Sequence, residues 1–130
     1  MTERGCRVVR TGDSTPTAQG PSYARGISAE SVGARGICMH LGSMPPGGAA
    51  HPHLHEHHET AIFVLSGRAG VDYGPSLEHH VDVEAGDFVY IGAGVAHRPF
   101  NLSDSEPVEY VVARTDPNED ESVVLLPDFV

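Results

Sequence analysis

Gly86-Asp87-Phe88-Val89-Tyr90-Ile91-Gly92-Ala93-Gly94-Val95-Ala96-His97-Arg98-Pro99-Phe100-Asn101 runs from one glycine turn through a second to a histidine. Asp87 to Ile91 has the length and the residue types of a β-strand. Gly92 and Gly94 predict a tight turn after it, because glycine accepts backbone angles closed to other residues. His97 then opens the next strand. The same grammar recurs in both directions. Fifteen Gly and ten Pro punctuate the chain at short intervals. Between them lie apolar or alternating runs at Gly36–Met44, Thr60–Ser66, Ala69–Tyr73, Glu78–Val83, Arg98–Leu102, Val108–Arg114 and Val123–Leu126. No segment carries a convincing helical period. Many short strands separated by turn signals predict an all-β sandwich or barrel, with helix well below its usual share.

Two runs bear on which face looks inward. In Ile37-Cys38-Met39-His40-Leu41 the apolar residues alternate with Cys38 and His40. A strand has a side-chain period of two, so the two sets lie on opposite faces. A barrel core favours apolar residues, and Ile37, Met39 and Leu41 are expected inside. In Thr60-Ala61-Ile62-Phe63-Val64-Leu65 both faces are apolar. Such a strand needs cover on both sides. One side is the barrel interior, and the other predicts a second layer, which we read as a homodimer.

The chain has 130 residues and a mass of 13.8 kDa, enough for one domain. Its formal net charge is -10, with eight Arg and no Lys. That charge repels phosphate backbones and anionic membranes, so neither nucleic acid nor membrane is an expected partner. The absence of Lys excludes lysine Schiff-base chemistry and the phosphate-binding P-loop. No apolar run reaches the length of a membrane span, and the stretch Met1–Cys6 lacks an apolar leader. Cys6 and Cys38 do not form a metal-type pair. The expectation is a cytoplasmic protein with reduced thiols. Arg7-Val8-Val9 reads as a short first strand and residues 11–22 as an irregular arm. Asp116 to Ser122, with four carboxylates, reads as a solvated loop, and Val123–Leu126 as a segment that docks on the body or a partner.

The nine His are unevenly placed, with five of them between His51 and His58. His51, His53 and His55 are two apart, so on an extended segment they project to one side. Two imidazoles so placed can grip one cation, and Glu59, four residues after His55, can close around it. Imidazole suits Fe, Ni, Cu and Zn, and a carboxylate keeps Mn within range. His79 and His80 read as hairpin residues in solvent.

These two stretches together resemble the cupin superfamily. Its second motif is written G-x5-PxG-x2-H-x3-N, and it fits Gly86, Gly92-Ala93-Gly94, His97 and Asn101, with Gly92 where the family has Pro. Its first motif, G-x5-HxH-x3/4-E-x6-G, fits Gly47, His53-Leu54-His55 and Glu59. Seven residues, not six, then separate Glu59 from Gly67. A bulge would absorb the extra residue, whereas a one-residue slip would turn Glu59 to the wrong face, leaving His58 as the reserve ligand. The resemblance implies a single-domain double-stranded β-helix, a jelly-roll barrel. Residues 23–115 would form it, with 1–22 as the N-terminal strand and arm and 116–130 as acidic loop and last strand. It implies one divalent transition metal (Fe, Mn, Ni or Zn) on His53, His55, Glu59 and His97. With Glu59 inward, Ala61, Phe63 and Leu65 share its face, and Phe63, Leu65, Tyr90, Phe100 and Met39 are the expected pocket lining. Tyr23 and Arg25 are expected near the mouth. The implied function is a small-molecule metalloenzyme of dioxygenase, isomerase or lyase type. The alternative is a non-catalytic module that binds a sugar or another metabolite.

Overall fold

The structure is a computed structural model that describes residues 5–126. Eleven strands and one short helix follow in order. They are β1 (Thr15–Pro16), β2 (Ser22–Ile27), α1 (Ala29–Val32), β3 (Cys38–Met44), β4 (His53–His55), β5 (Thr60–Ser66), β6 (Arg68–Tyr73), β7 (His79–Glu84), β8 (Phe88–Ile91), β9 (His97–Asn101), β10 (Val108–Arg114) and β11 (Val123–Leu125). They form two antiparallel sheets. The first has the order β1-β2-β3-β10-β5-β8 and the second β11-β4-β9-β6-β7. The sheets face each other as the two walls of the jelly-roll barrel, so the all-β, double-stranded β-helix expectation holds. No helix among the described residues is long and apolar enough to cross a membrane. The expected strand at Arg7–Val9 does not form, and Val8 is exposed. The first strand is instead Thr15–Pro16, inside the arm, where it pairs with β2.

The core lies between the sheets and is built from Tyr23, Met44, Val64, Ala69, Val108, Tyr110 and Val112. Its composition corrects one expectation. Cys38 and His40 are the buried face of β3, while Ile37, Met39 and Leu41 are exposed. Register explains why. Tyr110 lies opposite Gly42, and Val112 lies opposite His40. All four belong to the inward set, which the bulky Tyr110 and Val112 dominate. Gly42 leaves the space that the Tyr110 ring fills, since a Cβ there would sit 2.2 Å from a ring carbon.

That close approach predicts a specific cost. Gly42→Ala forces the Tyr110 ring out of place and destabilises the fold by about 1–3 kcal/mol, the usual range for overpacking. Gly36→Ala, where a Cβ meets nothing within 4 Å, leaves the urea midpoint unchanged. Equilibrium unfolding of the two variants checks the contrast.

Candidate metal centre

The second sheet brings three histidines together. His53 and His55 are two apart on β4, so both point inward, and both are buried. His53 is the direct cross-strand partner of His97 on β9, with ring centroids 4.3 Å apart. One nitrogen from each of the three rings lies within 4.8 Å of those of the other two. The turn before β9 sets His97 in place. Gly94 adopts a left-handed backbone (φ 74°) and donates its N–H to the His55 carbonyl at 2.9 Å, tying the turn to β4.

The tautomers follow from the partners. His53 Nδ1 faces the His51 carbonyl at 2.6 Å, His55 Nδ1 the Glu121 carbonyl at 2.5 Å, and His97 Nδ1 the Val95 carbonyl at 2.9 Å. A carbonyl oxygen can only accept, so each Nδ1 must carry the proton and donate. Each Nε2 is then a lone pair. His55 Nε2 is buried with no partner. Burial pushes all three rings towards the neutral form: His53 to about 2, His55 to about 3 and His97 to about 4. Three neutral imidazoles, each held by a backbone carbonyl on its far nitrogen, are a donor set for a transition metal.

Glu59 does not join them. It is exposed, its carboxylate accepts a hydrogen bond from the Tyr90 hydroxyl at 2.7 Å, and its backbone is tied to Thr115. The inward residue is its neighbour Thr60, which is 1% exposed. Counting six residues back from Gly67 also lands on Thr60, so the first motif keeps its spacing and loses its carboxylate. The reserve ligand, His58, sits 3.4 Å from Asp116 and outside the triad.

Because the period is two, this single offset corrects the pocket lining as well. Ile62 and Val64 face inward, not Phe63 and Leu65. Leu65 is exposed, and Phe63 packs against Phe88 on the outer face, with ring centroids 4.7 Å apart. Met39 is outside with its strand, and Phe100 packs against His80 on the outside of the second sheet. Tyr90 is exposed; it borders a shallow groove beside Glu59 and a wider one of about 760 Å³, and the wider one shares Val71, Val89, Ile91 and His97 with the inner cavity. The inner cavity is small, about 50 Å³. His53 and His97 line it together with Met44, Val89, Ile91 and other apolar residues.

Three polar residues that the sequence left unassigned or placed elsewhere also line it: Arg114, Tyr23 and Gln19. Arg114 is 5% exposed. Its Nε donates to Thr60 Oγ1 at 3.0 Å, and its Nη1 donates to the Tyr23 hydroxyl at 3.1 Å and to the Glu121 carboxylate. Burial opposes the guanidinium charge, but Tyr23 and Glu121 beside it more than offset that, so it stays protonated. Burial pushes the Tyr23 phenol up to about 12, so it is neutral. Tyr23 is thus part of the core rather than the mouth, and Arg25 donates to the Glu119 carbonyl. Asp116 and Glu121 are each 1% exposed, which corrects the reading of this loop as solvated. The segment returns across the barrel end, and β11 pairs with the ligand-bearing β4.

Cys38, His40 and Glu121 form a second buried group with metal-like spacing. In the metal-free chain His40 and Glu121 already have other partners. His40 Nδ1 accepts the Gly26 N–H at 3.0 Å, so Nε2 carries the proton. Burial, and then the Glu121 charge, push the Cys38 thiol up to about 12, so it is not a thiolate. Arg114 already answers the Glu121 charge.

The depressed histidines make the metal-free protein acid-sensitive in a defined window. Their folded values lie below the ordinary 6.5, so the unfolded chain binds more protons between that value and about 4. Stability is therefore complete above pH 6.5 and falls as pH drops through this window. Denaturant midpoints of metal-stripped protein between pH 7.5 and 4.5 check this. His53→Gln, which removes one of the three, flattens the slope.

A model of the Cupin domain matches residues 40–114. A search of curated proteins returns no match. Solved structures share the fold. A conserved protein with a double-stranded β-helix domain from Klebsiella pneumoniae has a TM-score of 0.68 at 21% identity, covering 85% of this chain and 88% of that one. Lactobacillus farciminis oxalate decarboxylase, in a formate complex, has a TM-score of 0.74 at 20% identity over 90% of this chain. An oxalate oxidase in complex with the substrate analogue glycolate has a TM-score of 0.70 at 24% identity over 91% of this chain. The shared region is 34% of the decarboxylase chain and 60% of the oxidase chain. With the histidine pair of the first motif and the histidine of the second meeting inside the barrel, and with the family model spanning both, the chain belongs to the Cupin domain family.

Proposed function

We propose that this chain holds one divalent transition metal on His53, His55 and His97 and uses it for enzymatic chemistry on a small molecule. The observation that carries the reading is the shared tautomer: three backbone carbonyls hold three Nδ1 protons, and three Nε2 lone pairs are left inside the barrel. A donor set of neutral imidazoles without a carboxylate favours Fe, Ni, Cu or Zn over Mn. When bound, such an ion polarises a coordinated oxygen or nitrogen and, for the redox-active metals, adds one-electron chemistry.

The chain's own residues supply the rest. Met44, Ile62, Val64, Val89 and Ile91 keep the cavity apolar and bulk water out. Tyr23 and Arg114 are polar groups that a ligand meets opposite the histidines. Tyr23, held neutral, can donate its proton in a hydrogen bond, and Arg114 presents a fixed positive charge. The cavity of about 50 Å³ at the histidines adjoins the wider groove of about 760 Å³ through His97, Val71, Val89 and Ile91, which gives a ligand a route to the triad. Oxalate decarboxylase and oxalate oxidase support the enzyme reading over a passive binding module, since in both a barrel of this shape accompanies chemistry on a small molecule. Fold alone does not decide between them.

Metal analysis of protein purified without a histidine tag, paired with O2-uptake and turnover assays on a panel of small metabolites, tests the proposal. Wild type is expected to carry about one transition metal per chain, and His97→Ala to lose both metal and turnover. A wild-type chain that binds none of these ions overturns the metal centre. A ligand affinity that survives chelation, with no turnover, favours the non-catalytic module instead.

A further inference from the structure

His53 and His97 are oriented locally, by carbonyls two residues before each ring. His55 is not. Its Nδ1 proton goes to the Glu121 carbonyl, on the loop 116–122 that crosses from β10 of the first sheet to β11 of the second. β11 then runs beside β4, with Val123 opposite His55 and Leu125 opposite His53. One ring of the three therefore depends on where this loop sits.

Bonds inside the loop make it a single piece. The Asn118 N–H and the Ser122 hydroxyl both donate to the Asp116 carboxylate, at 3.0 and 2.5 Å. The Ser122 N–H donates to the Asp120 carboxylate at 3.2 Å, and the Glu121 N–H to the Asn118 carbonyl at 3.1 Å. The loop is seated on β2 and α1, and the contact is concentrated on Glu119. Its N–H donates to the Glu30 carboxylate at 3.1 Å, its carbonyl accepts from Arg25 at 3.1 Å, and its carboxylate accepts from the Ser28 hydroxyl at 2.8 Å. Beside it, the Pro117 carbonyl accepts the Ala29 N–H at 2.6 Å. All the polar groups of one residue are thus taken by a single distant segment. Ser28 is buried and is the N-cap of α1, so its hydroxyl is fixed where Glu119 meets it. Arg114 holds the Glu121 carboxylate. The direction of the Glu121 carbonyl is set instead by the backbone, which is left-handed at Glu121 and Ser122. Non-glycine residues stay in that region only where their surroundings impose it. Here the surroundings are the seated loop.

We propose that the loop 116–122 is a strap that retains the metal, and that Glu119, seated on Arg25, Ser28 and Glu30, is its latch. No hydrogen bond of Glu119 reaches the triad. It is a positioning residue that acts on His55 through the Glu121 carbonyl. Released from its seat, the strap turns that carbonyl away, and His55 loses the partner that fixes its tautomer. The partner on the far nitrogen of a ligating histidine tunes metal affinity in this way. Retention rests on the metal reading above, whereas the hold on His55 does not.

The double variant Arg25→Ala/Glu30→Ala removes two holds on Glu119 without touching the core. Nitrogen NMR of the histidine rings in metal-free protein, near neutral pH, is the first readout. His55 is expected to lose its pure Nδ1–H pattern while His53 and His97 keep theirs. The second readout is Zn2+ affinity by competition with a chelator. It is expected to fall roughly tenfold, the lower end of the range for loss of such a partner. Arg25→Lys/Glu30→Gln keeps a donor and an acceptor and is expected to restore both readouts. Glu119→Ala, which keeps the backbone bonds, moves both less and in the same direction, and it stands in if the double variant does not fold. An unchanged His55 pattern overturns the latch. So does a change shared equally by His53 and His97, which marks general loosening. Unchanged Zn2+ affinity with the His55 pattern lost overturns retention. A wild type that binds no Zn2+ overturns retention together with the metal reading, and the ring spectra still decide the hold on His55.

Discussion

A carbonyl oxygen cannot donate a hydrogen bond, and three of them decide the chemistry of this barrel. The carbonyls of His51, Val95 and Glu121 each take the Nδ1 proton of a buried histidine. Neutral imidazole carries one N–H, so the remaining nitrogen of each ring has to be a bare lone pair. Burial reinforces the choice by disfavouring the doubly protonated ring. Two of the carbonyls, at His51 and Val95, lie two residues before the ring they orient. The third arrives from residue 121, far along the chain. The orientation of the centre is therefore mostly local, but it closes only when the C-terminal segment folds back.

Legibility in the sequence followed the same division. The all-β class and the shared side of His53 and His55 could be read from spacing, because glycine turns and a two-residue period are local rules; the jelly-roll barrel and the place of His97 in the site came from the resemblance of the two motifs. Parity failed by one residue at Glu59. The count of seven residues to Gly67 marked the fault, and the reading kept the carboxylate by allowing a bulge. The structure keeps the strand regular and gives up the carboxylate. A period of two turns that one choice into three more: Phe63 and Leu65 are displaced by Ile62 and Val64, and Tyr90 follows from its pairing with Ala61. Met39 failed for a separate reason, since apolarity on β3 marks an exposed face and the polar Cys38 and His40 form the buried one.

Arg114, Tyr23 and Glu121 could not have been found this way. Tyr23 and Arg114 are 91 residues apart, and nothing near Glu121 signals burial in a run of acidic residues. One local mark exists in the backbone: Glu121 and Ser122 both have positive φ, at 57° and 48°. These are non-glycine residues held in a sparsely populated conformation. The turn they make places the Glu121 carbonyl on His55 and its carboxylate on Arg114. No sequence rule selects Glu and Ser for that geometry.

The ion pair of Arg114 and Glu121 is a poor candidate for a purely stabilising device. Removing two charges from water costs several kcal/mol per ion, and apolar residues of similar volume often serve stability as well or better. Its position explains it better than its energy does. Arg114 stands on the first sheet, opposite the histidines of the second, and it bridges Thr60, Tyr23 and Glu121 on three separate elements. The cavity between is then bounded on one side by neutral lone pairs and on the other by a fixed cation. Neither sheet alone makes that arrangement. The site exists only where the two walls of the barrel close, so its polar groups are set by the same packing that forms the core.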